Sequence, residues 1–149
     1  MKNIPLYDVR QISTLKDMLE SSAEKYGNKT AFLVKTEEGG PYKPVTYKQY
    51  YNDVNALGTA LIDLGLSGKR VAIISENRYE WTVSYLAVVN GTGVVVPLDK
   101  ELPVGEIKNL LLRSKADAVI YSKSKRNEVE SIAGELPDLK YLISMDNDE

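Results

Sequence analysis

Arg70-Val71-Ala72-Ile73-Ile74-Ser75, then Asn77-Arg78-Tyr79-Glu80-Trp81 running on to Asn90, then Gly91-Thr92-Gly93-Val94-Val95-Val96-Pro97-Leu98-Asp99, decides the fold. The first block is a short apolar run without alternation, as expected of a strand covered on both faces. Asn77-x-x-Glu80 reads as an N-cap opening a helix that stops at Gly91. Gly93–Leu98 reads as a second strand. Strand, helix and strand at this spacing make a parallel pair joined by a right-handed crossover.

The same alternation continues toward the C-terminus. Pro103 suits a first helical position, and Ile107, Leu110 and Leu111 form that helix's apolar stripe. Ala116–Tyr121 is a third strand. Ser124 is placed to cap a helix carrying Val129, Ile132, Ala133 and Leu136, stopped by Pro137, and Leu139–Ser144 is a fourth strand. Toward the N-terminus, Leu15, Met18, Leu19, Ser22, Ala23 and Tyr26 recur at helical spacing, opened by Ser13 or Thr14 and closed by Gly27. Ala31-Phe32-Leu33-Val34 and Pro44-Val45-Thr46-Tyr47 flank the turn Thr36-Glu37-Glu38-Gly39-Gly40-Pro41, which predicts a hairpin. Thr46-x-x-Gln49 fits a capping box. Tyr50, Val54, Leu57, Leu61 and Leu64 follow as one stripe, and Gly65 stands where a left-handed terminal residue is wanted.

The expected fold is therefore α/β: a parallel sheet with helices on both faces in the order β-α-β-α-β-α-β, preceded by an N-terminal helix and a β-hairpin. Residues 13–66 hold the helix, hairpin and second helix, and residues 69–144 the alternating strand-helix units. One helix stands apart. From Trp81 to Val89 only Thr82 and Ser84 interrupt the apolar residues, so nearly every direction around the axis is apolar. Such a helix is buried all round. Trp81 is expected to be largely buried, and more protein than a sheet alone is expected around it.

The composition narrows the function. The chain has 149 residues, 19 Lys and Arg against 21 Asp and Glu, and a net charge of −2. No basic excess is available to hold a phosphate backbone, so nucleic acid is not an expected partner. With no Cys there is no disulfide, thiolate site or Cys nucleophile, and with no His there is no imidazole base, Ser-His-Asp triad or His-metal motif. The longest apolar runs, such as Val71–Ile74 and Val94–Val96, fall far below the roughly 18 residues of a membrane span. Met1-Lys2-Asn3-Ile4-Pro5-Leu6 lacks the apolar stretch of a signal peptide, so a cytoplasmic location is expected.

Candidate sites are few. Gly91-Thr92-Gly93 is a glycine run, but a phosphate loop passes from strand to helix so that its amides and the helix N-terminus face the anion. Here the run passes from helix to strand, and the favoured reading is a helix stop and tight turn. Gly68-Lys69 lacks both the upstream glycine and the Ser/Thr of a Walker loop. In an open parallel sheet, ligands sit beyond the carboxyl ends of the strands. Those ends carry Ser75-Glu76-Asn77, Asp99-Lys100 and Tyr121-Ser122-Lys123. Glu76, Asp99 and Lys100 are candidates for a charged pocket, against the favoured reading that Asn77 caps a helix and Asp99 a turn. Tyr47, Tyr50 and Tyr51 cluster as a stacking platform or, more ordinarily, as rings at a helix–sheet boundary. Lys123-Ser124-Lys125-Arg126 reads as a solvated helix start. No pair of residues makes a convincing acid, base or nucleophile, and the expected catalytic, cofactor-binding and metal-binding residues are none.

Several stretches together resemble the AMP-forming acyl-CoA synthetases, the adenylate-forming ligases. Pro44-Val45-Thr46-Tyr47-Lys48-Gln49-Tyr50 is similar to the family's first core motif, with Gln49 where Glu is commoner. Val71-Ala72-Ile73-Ile74-Ser75-Glu76-Asn77-Arg78-Tyr79-Glu80-Trp81 resembles a stretch of the long-chain fatty acyl members, with Tyr79 in place of the usual Pro. Leu86–Asp99 is similar to the second core motif, with Asn90-Gly91-Thr92-Gly93 in place of a Lys-Ala-Gly run. The resemblance covers nearly the whole chain from Leu15 on.

It implies an enzyme that activates a carboxylic acid with ATP and Mg²⁺ to an acyl-adenylate and passes the acyl group to CoA. It also implies what these residues lack: the Ser/Thr/Gly-rich phosphate loop, the adenine-binding aromatic region, the ribose-binding Asp and the C-terminal domain with its catalytic Lys. The chain is then expected to be an N-terminal portion of the AMP-binding domain, a third or less of a long-chain fatty acid–CoA ligase. It would be inactive alone and prone to self-association. Its partners would be the remainder of the ligase chain and, for the whole enzyme, a fatty acid, with peripheral membrane contact compatible. The alternatives are a complete small ligand- or protein-binding module, and a piece of an adenylation domain for an amino or aryl acid.

Overall fold

The computed structural model describes residues 10–35, 37 and 39–147. Met1–Leu6, Thr36 and Glu38 of the hairpin turn, and Asp148-Glu149 lie outside the described residues. The elements run α1 (Leu15–Tyr26), β1 (Thr30–Val34), β2 (Lys43–Thr46), α2 (Tyr47–Asp63), β3 (Arg70–Ile74), α3 (Tyr79–Ala87), a π turn (Val88–Thr92), β4 (Val94–Pro97), α4 (Val104–Ser114), β5 (Ala118–Tyr121), a 3₁₀ turn (Lys123–Lys125), α5 (Arg126–Ala133) and β6 (Tyr141–Ser144). The expected α/β architecture holds. β1 and β2 pair antiparallel as the hairpin, with a register shift between Thr30 and Phe32. The other four strands form one parallel sheet in the order β4-β3-β5-β6.

The sheet is apolar on both faces because both are covered. Val71 and Ile73 of β3 and Ala118 and Ile120 of β5 pack with Val54 and Leu61 of α2 and Val83, Leu86 and Ala87 of α3. The alternate residues Ala72, Ile74, Val119 and Tyr121 pack with Ile107 and Leu111 of α4 and Val129 and Ile132 of α5. Period-two alternation of side chains therefore feeds two cores from the same strands.

α3 is enclosed less than the sequence implied. α2 lies against it, so part of the cover comes from this chain. The remaining flank carries Trp81 and Tyr85, stacked at 5.3 Å between ring centroids and 14° between planes. Both are half-buried, which corrects the expectation that Trp81 is largely buried. The helix also ends earlier than Asn90: the chain widens into the π turn and breaks at Gly91, where φ is 142°.

The caps divide. Thr14 accepts from the Asp17 amide at 3.0 Å, and Thr46 accepts from the Gln49 amide at 3.1 Å. The Gln49 side chain does not return to close the capping box; it donates to Asp53 Oδ1 at 2.6 Å. Gly65 takes the left-handed conformation expected of it, φ 80°. Asn77 is not the cap of α3: Arg78 holds that position, without a side-chain cap bond, and Asn77 is exposed. Pro103 is the N-cap of α4 rather than its first helical residue. Ser124 sits inside the 3₁₀ turn and does not cap α5.

Candidate functional site

The carboxyl ends of β3, β5 and β6 do come together, around Arg78. The β3–α3 turn delivers Glu76 and Arg78, the turn after β5 delivers Ser122 and Ser124, and the residues after β6 deliver Asp146. Arg78 Nε donates to Glu80 Oε2 at 2.6 Å and an Nη to Asp146 Oδ1 at 2.7 Å, with Glu76 Oε1 at 3.7 Å. Glu76 Oε2 accepts from the Ser122 and Ser124 hydroxyls at 2.7 and 3.0 Å. The Lys123 amide donates to Asp146 Oδ2 at 2.6 Å. Carboxylates that accept several such bonds are satisfied as anions.

The electrostatics follow. Desolvation pushes Glu76 up, but the Ser122 hydroxyl, its own amide, Ser124 and the Arg78 charge outweigh it, and the carboxyl is held below its usual range. Asp146 behaves alike: desolvation raises it, and Arg78 with the Lys123 amide lowers it further. Arg78 loses hydration but is held more firmly protonated by Glu80 and Asp146. This is a staple joining three strand ends.

Beside the staple lies an open cleft of about 880 Å³ between the hairpin and the sheet, lined by Phe32, Lys35, Asn77, Arg78, Thr82 and Met145 among others. Its aromatic wall is built by Phe32 edge-on to Tyr50 at 4.8 Å and to Tyr79 at 5.3 Å. Tyr79 Oη donates to Asp53 Oδ2 at 2.7 Å, and Tyr50 Oη donates to the Thr82 carbonyl at 3.3 Å. Burial, reinforced by the Asp53 carboxylate, raises the Tyr79 hydroxyl above its ordinary range, and burial raises Tyr50.

The candidates from the sequence distribute as follows. Glu76 belongs to the staple. Asp99 accepts from the Glu101 amide at 2.9 Å, a turn-closing bond, and Lys100 pairs with Glu101 at 2.5 Å. Their hydrogen bonds therefore go to different partners, but the three lie close enough to interact: Glu101 chiefly, then Glu76 and Asp99 through their charges, hold Lys100 more firmly protonated. Gly91-Thr92-Gly93 is a packing turn: the Thr92 hydroxyl is buried and donates to the Ala87 carbonyl at 2.9 Å. Tyr50 is core, Tyr47 lies against Tyr26 at 5.2 Å, and Tyr51 is half-buried, so they form no platform. In the basic run, Lys125 pairs with Glu128 at 3.0 Å and Arg126 lies 3.9 Å from Glu130.

The donor set can be tested against the groups the resemblance implies. The β3–α3 turn, the strand-to-helix turn nearest the cleft, is Ser75-Glu76-Asn77-Arg78, without a glycine, and its one acid, Glu76, accepts from Ser122 and Ser124. Among the described residues, no group of three carboxylates is placed to hold a metal ion.

The model of the AMP-binding enzyme family matches residues 19–149. The chain belongs to that family. It is 30% identical over 146 residues to fatty acyl-CoA synthetase A of Dictyostelium discoideum, covering 97% of this chain and 20% of that protein. It is 30% identical over 128 residues to long chain acyl-CoA synthetase 1 of Arabidopsis thaliana, covering 83% of this chain and 19% of that one. The chain thus spans about a fifth of the length of these curated relatives. Its fold superposes on the anthranilate CoA ligase AuaEII, solved with anthranoyl-AMP, with a TM-score of 0.80 and 26% identity over 96% of this chain and 26% of that one. Among the described residues no helix is long and apolar enough to cross a membrane.

Sequence reasoning missed three members of the staple, Arg78, Asp146 and Ser124. Arg78 lies inside a quoted motif, but its partner Asp146 is 68 residues away and no local pattern joins them. Ser124 was read as a cap, and its hydroxyl goes instead to Glu76.

Proposed function

We propose that this chain is the N-terminal scaffold of a long-chain fatty acid–CoA ligase. The whole enzyme would join a fatty acid to ATP with Mg²⁺, forming an acyl-adenylate and releasing pyrophosphate, and then transfer the acyl group to the CoA thiol with loss of AMP. The observation that carries this reading is the 30% identity to a fatty acyl-CoA synthetase along 97% of the chain. Residues 1–149 would form the first portion of the AMP-binding domain, 13–66 and 69–144 being its two parts. On this reading none of its residues is catalytic, cofactor-binding or metal-binding. The mutual pairing of Glu76, Arg78 and Asp146 supports that assignment, because it gives each a structural role in joining the strand ends. A cytoplasmic location, with the whole enzyme meeting its lipid substrate at a membrane surface, accords with it.

The test is fatty-acid-dependent exchange of pyrophosphate into ATP. The whole ligase is expected to catalyse it and residues 1–149 alone to be inactive. Exchange by the isolated chain that disappears in Glu76→Gln or Lys100→Ala would place the active site at these strand ends and overturn the scaffold reading. A second reading, an aryl-acid ligase, is favoured by the likeness to the anthranilate enzyme; exchange with benzoates and not with palmitate would establish it. The scaffold reading also carries an expectation of self-association. Both edge strands carry exposed apolar residues, Val94 at 56% and Leu142 at 37%, open to a second copy. Sedimentation of the isolated chain should show concentration-dependent mass, and a monomer at all concentrations would exclude it.

A further inference from the structure

The four-stranded sheet ends in two edges, β4 and β6. Both carry apolar side chains, and the backbone distinguishes them. Along a parallel strand, alternate residues turn their amide and carbonyl toward opposite neighbours. In β4 the Val94 amide donates to the Lys69 carbonyl at 2.8 Å, and just beyond its end the Leu98 amide donates to the Ile73 carbonyl at 2.9 Å. The even-numbered residues therefore face β3, and Val95 and Pro97 face outward. Pro97 has no N–H to offer, so the outer edge of β4 is closed to pairing just past Val95. In β6 the Tyr141 amide donates to the Asp117 carbonyl at 3.4 Å, and just beyond its end the Met145 amide donates to the Tyr121 carbonyl at 2.8 Å. The odd-numbered residues face β5, and Leu142 and Ser144 turn their amides and carbonyls outward. No proline interrupts them.

The β6 edge is complementary to itself. Ile143 lies on the α2/α3 side of the sheet, where an open apolar groove of about 290 Å³ runs beside β6, lined by Leu57, Val83, Ile120, Ile143 and Met145 among others. Lys140 precedes the strand and Asp146 follows it. An antiparallel copy of β6 therefore meets unlike charges at both ends, and a parallel copy would meet like ones.

We propose that the outer edge of β6 is an interaction surface for a second copy of this chain, the two strands pairing antiparallel about a two-fold axis at Ile143. An axis normal to the sheet keeps the α2/α3 faces of both copies on one side, so opposed residues share a face. Leu142 N–H then donates to the carbonyl of the partner's Ser144, and Ser144 N–H donates to the carbonyl of the partner's Leu142, each bond occurring twice by symmetry. Ile143 meets the partner's Ile143 at a non-hydrogen-bonded position, where side chains lie closest. Tyr141 meets the partner's Met145 over the groove. Moving the axis to Leu142 would set Ser144 opposite the partner's Lys140, whose amide is already given to its own Asp117 carbonyl at 2.8 Å, so fewer bonds would form. The β4 edges stay outside, and assembly stops at the dimer. A pairing of four-residue strands is a small interface, so the dimer is concentration-dependent. This inference rests on the self-association expected under the scaffold reading and specifies its surface and register.

The chain contains no cysteine, so a single one reports the register. Opposed Cα atoms at a non-hydrogen-bonded position are about 4.5 Å apart, within the roughly 4.4–6.8 Å that a disulfide spans. Ile143→Cys, purified reduced and then oxidised in air, should convert to a disulfide-linked dimer, while Leu142→Cys and Val94→Cys treated alike should stay unlinked on a non-reducing gel. Sedimentation equilibrium of the unmodified chain should fit a monomer and a dimer with no larger species. Leu142→Pro, which removes only an outward amide, should weaken the dimer by roughly tenfold or more with an unchanged circular dichroism spectrum. Linking at 94 or 142 in place of 143, undiminished association of Leu142→Pro, species larger than a dimer, or a monomer at every concentration would overturn the proposal. Sedimentation uses the unmodified chain, so that outcome does not depend on any variant folding. Fatty-acid-dependent pyrophosphate exchange by the whole ligase would leave the scaffold reading standing in either case.

Discussion

Replacing Gly93 with Ala should destabilise the fold severely, and the reason is distance rather than dihedral angle. Gly93 has φ −175°, extended backbone that any residue adopts. A Cβ built there would lie 2.2 Å from the Lys69 carbonyl oxygen and 3.1 Å from the Lys69 nitrogen. Both are backbone atoms, so no rotamer change relieves the clash. Reaching ordinary contact at 3.4 Å requires a retreat of 3.4 − 2.2 = 1.2 Å. The Val94 amide donates to that same oxygen at 2.8 Å, and the Gly68 amide donates to the Thr92 carbonyl at 2.7 Å. Moving the start of β4 away by such an amount stretches these bonds beyond hydrogen-bonding range. Overpacking costs about 1–3 kcal/mol and a lost hydrogen bond about 1 kcal/mol more, so about 2–4 kcal/mol is expected. In a domain of this size that is a fall in Tm of roughly 10 °C. The control is Gly134→Ala: Gly134 has φ −64° and ψ −13°, and a Cβ there meets nothing within 4 Å. It should be neutral or stabilise by about 0.5–1 kcal/mol. Thermal unfolding followed by far-ultraviolet circular dichroism reads both. A Gly93→Ala protein within about 0.5 kcal/mol of the parent would refute the close-approach reading and return Gly91-Thr92-Gly93 to the list of possible binding loops.

Thr46→Ala should cost about 1 kcal/mol in chemical denaturation while Asn77→Ala costs almost nothing, since only Thr46 accepts from its helix; equal losses would refute the assignment of Arg78 as the cap of α3. Tyr79→Phe should cost about 1–2 kcal/mol at neutral pH by removing the bond to Asp53. The Tyr79 hydroxyl is raised in the folded state, so its stabilisation is present below the unfolded value near 10 and lost as pH rises beyond it; parent and variant curves should therefore converge in alkali, and a constant gap would refute the bond. Asp146 is lowered in the folded state, so its stabilisation is present above its unfolded value near 4 and lost as pH falls through the folded one. Asp146→Asn should flatten the acid limb of the stability curve, and an unchanged limb would show that the staple contributes nothing.

Periodicity and punctuation were enough to read the order and kind of the α-helices and β-strands. The apolar runs of β3 and β5 could be recognised because both faces are covered, which removes the alternation a half-exposed strand shows. Element ends were less legible where two residues compete for one role. Asn77, Arg78 and Pro103 are all acceptable at or near a helix start, and which one takes the cap depends on how the incoming strand leaves the sheet. The π turn had no signature at all: Val88–Thr92 reads as helix followed by glycine, and β4 begins just after it, with the Val94 amide on the Lys69 carbonyl. Trp81 was misjudged because a helical wheel gives directions and not neighbours. α2 supplied cover on one flank while the Trp81–Tyr85 flank stayed partly open.

The candidate site shows a different limit. Residue types at strand ends say which chemistry is available, and only the geometry says whether it is free. Glu76 and Lys100 looked like a pocket as long as their partners were unknown. Ser122, Ser124 and Arg78 are found on Glu76, and Glu101 on Lys100, so each has a partner within the fold. The direction of the chain through a glycine run was the stronger clue. Strand-to-helix passage aims several amides at one point in space, whereas helix-to-strand passage turns them along the sheet edge, where Gly68, Gly93 and Val94 bond to neighbouring carbonyls. Composition cannot distinguish the two, but order along the chain can. For that reason the glycine run was already best read as packing, while the charged residues at the strand ends remained open until their partners were located.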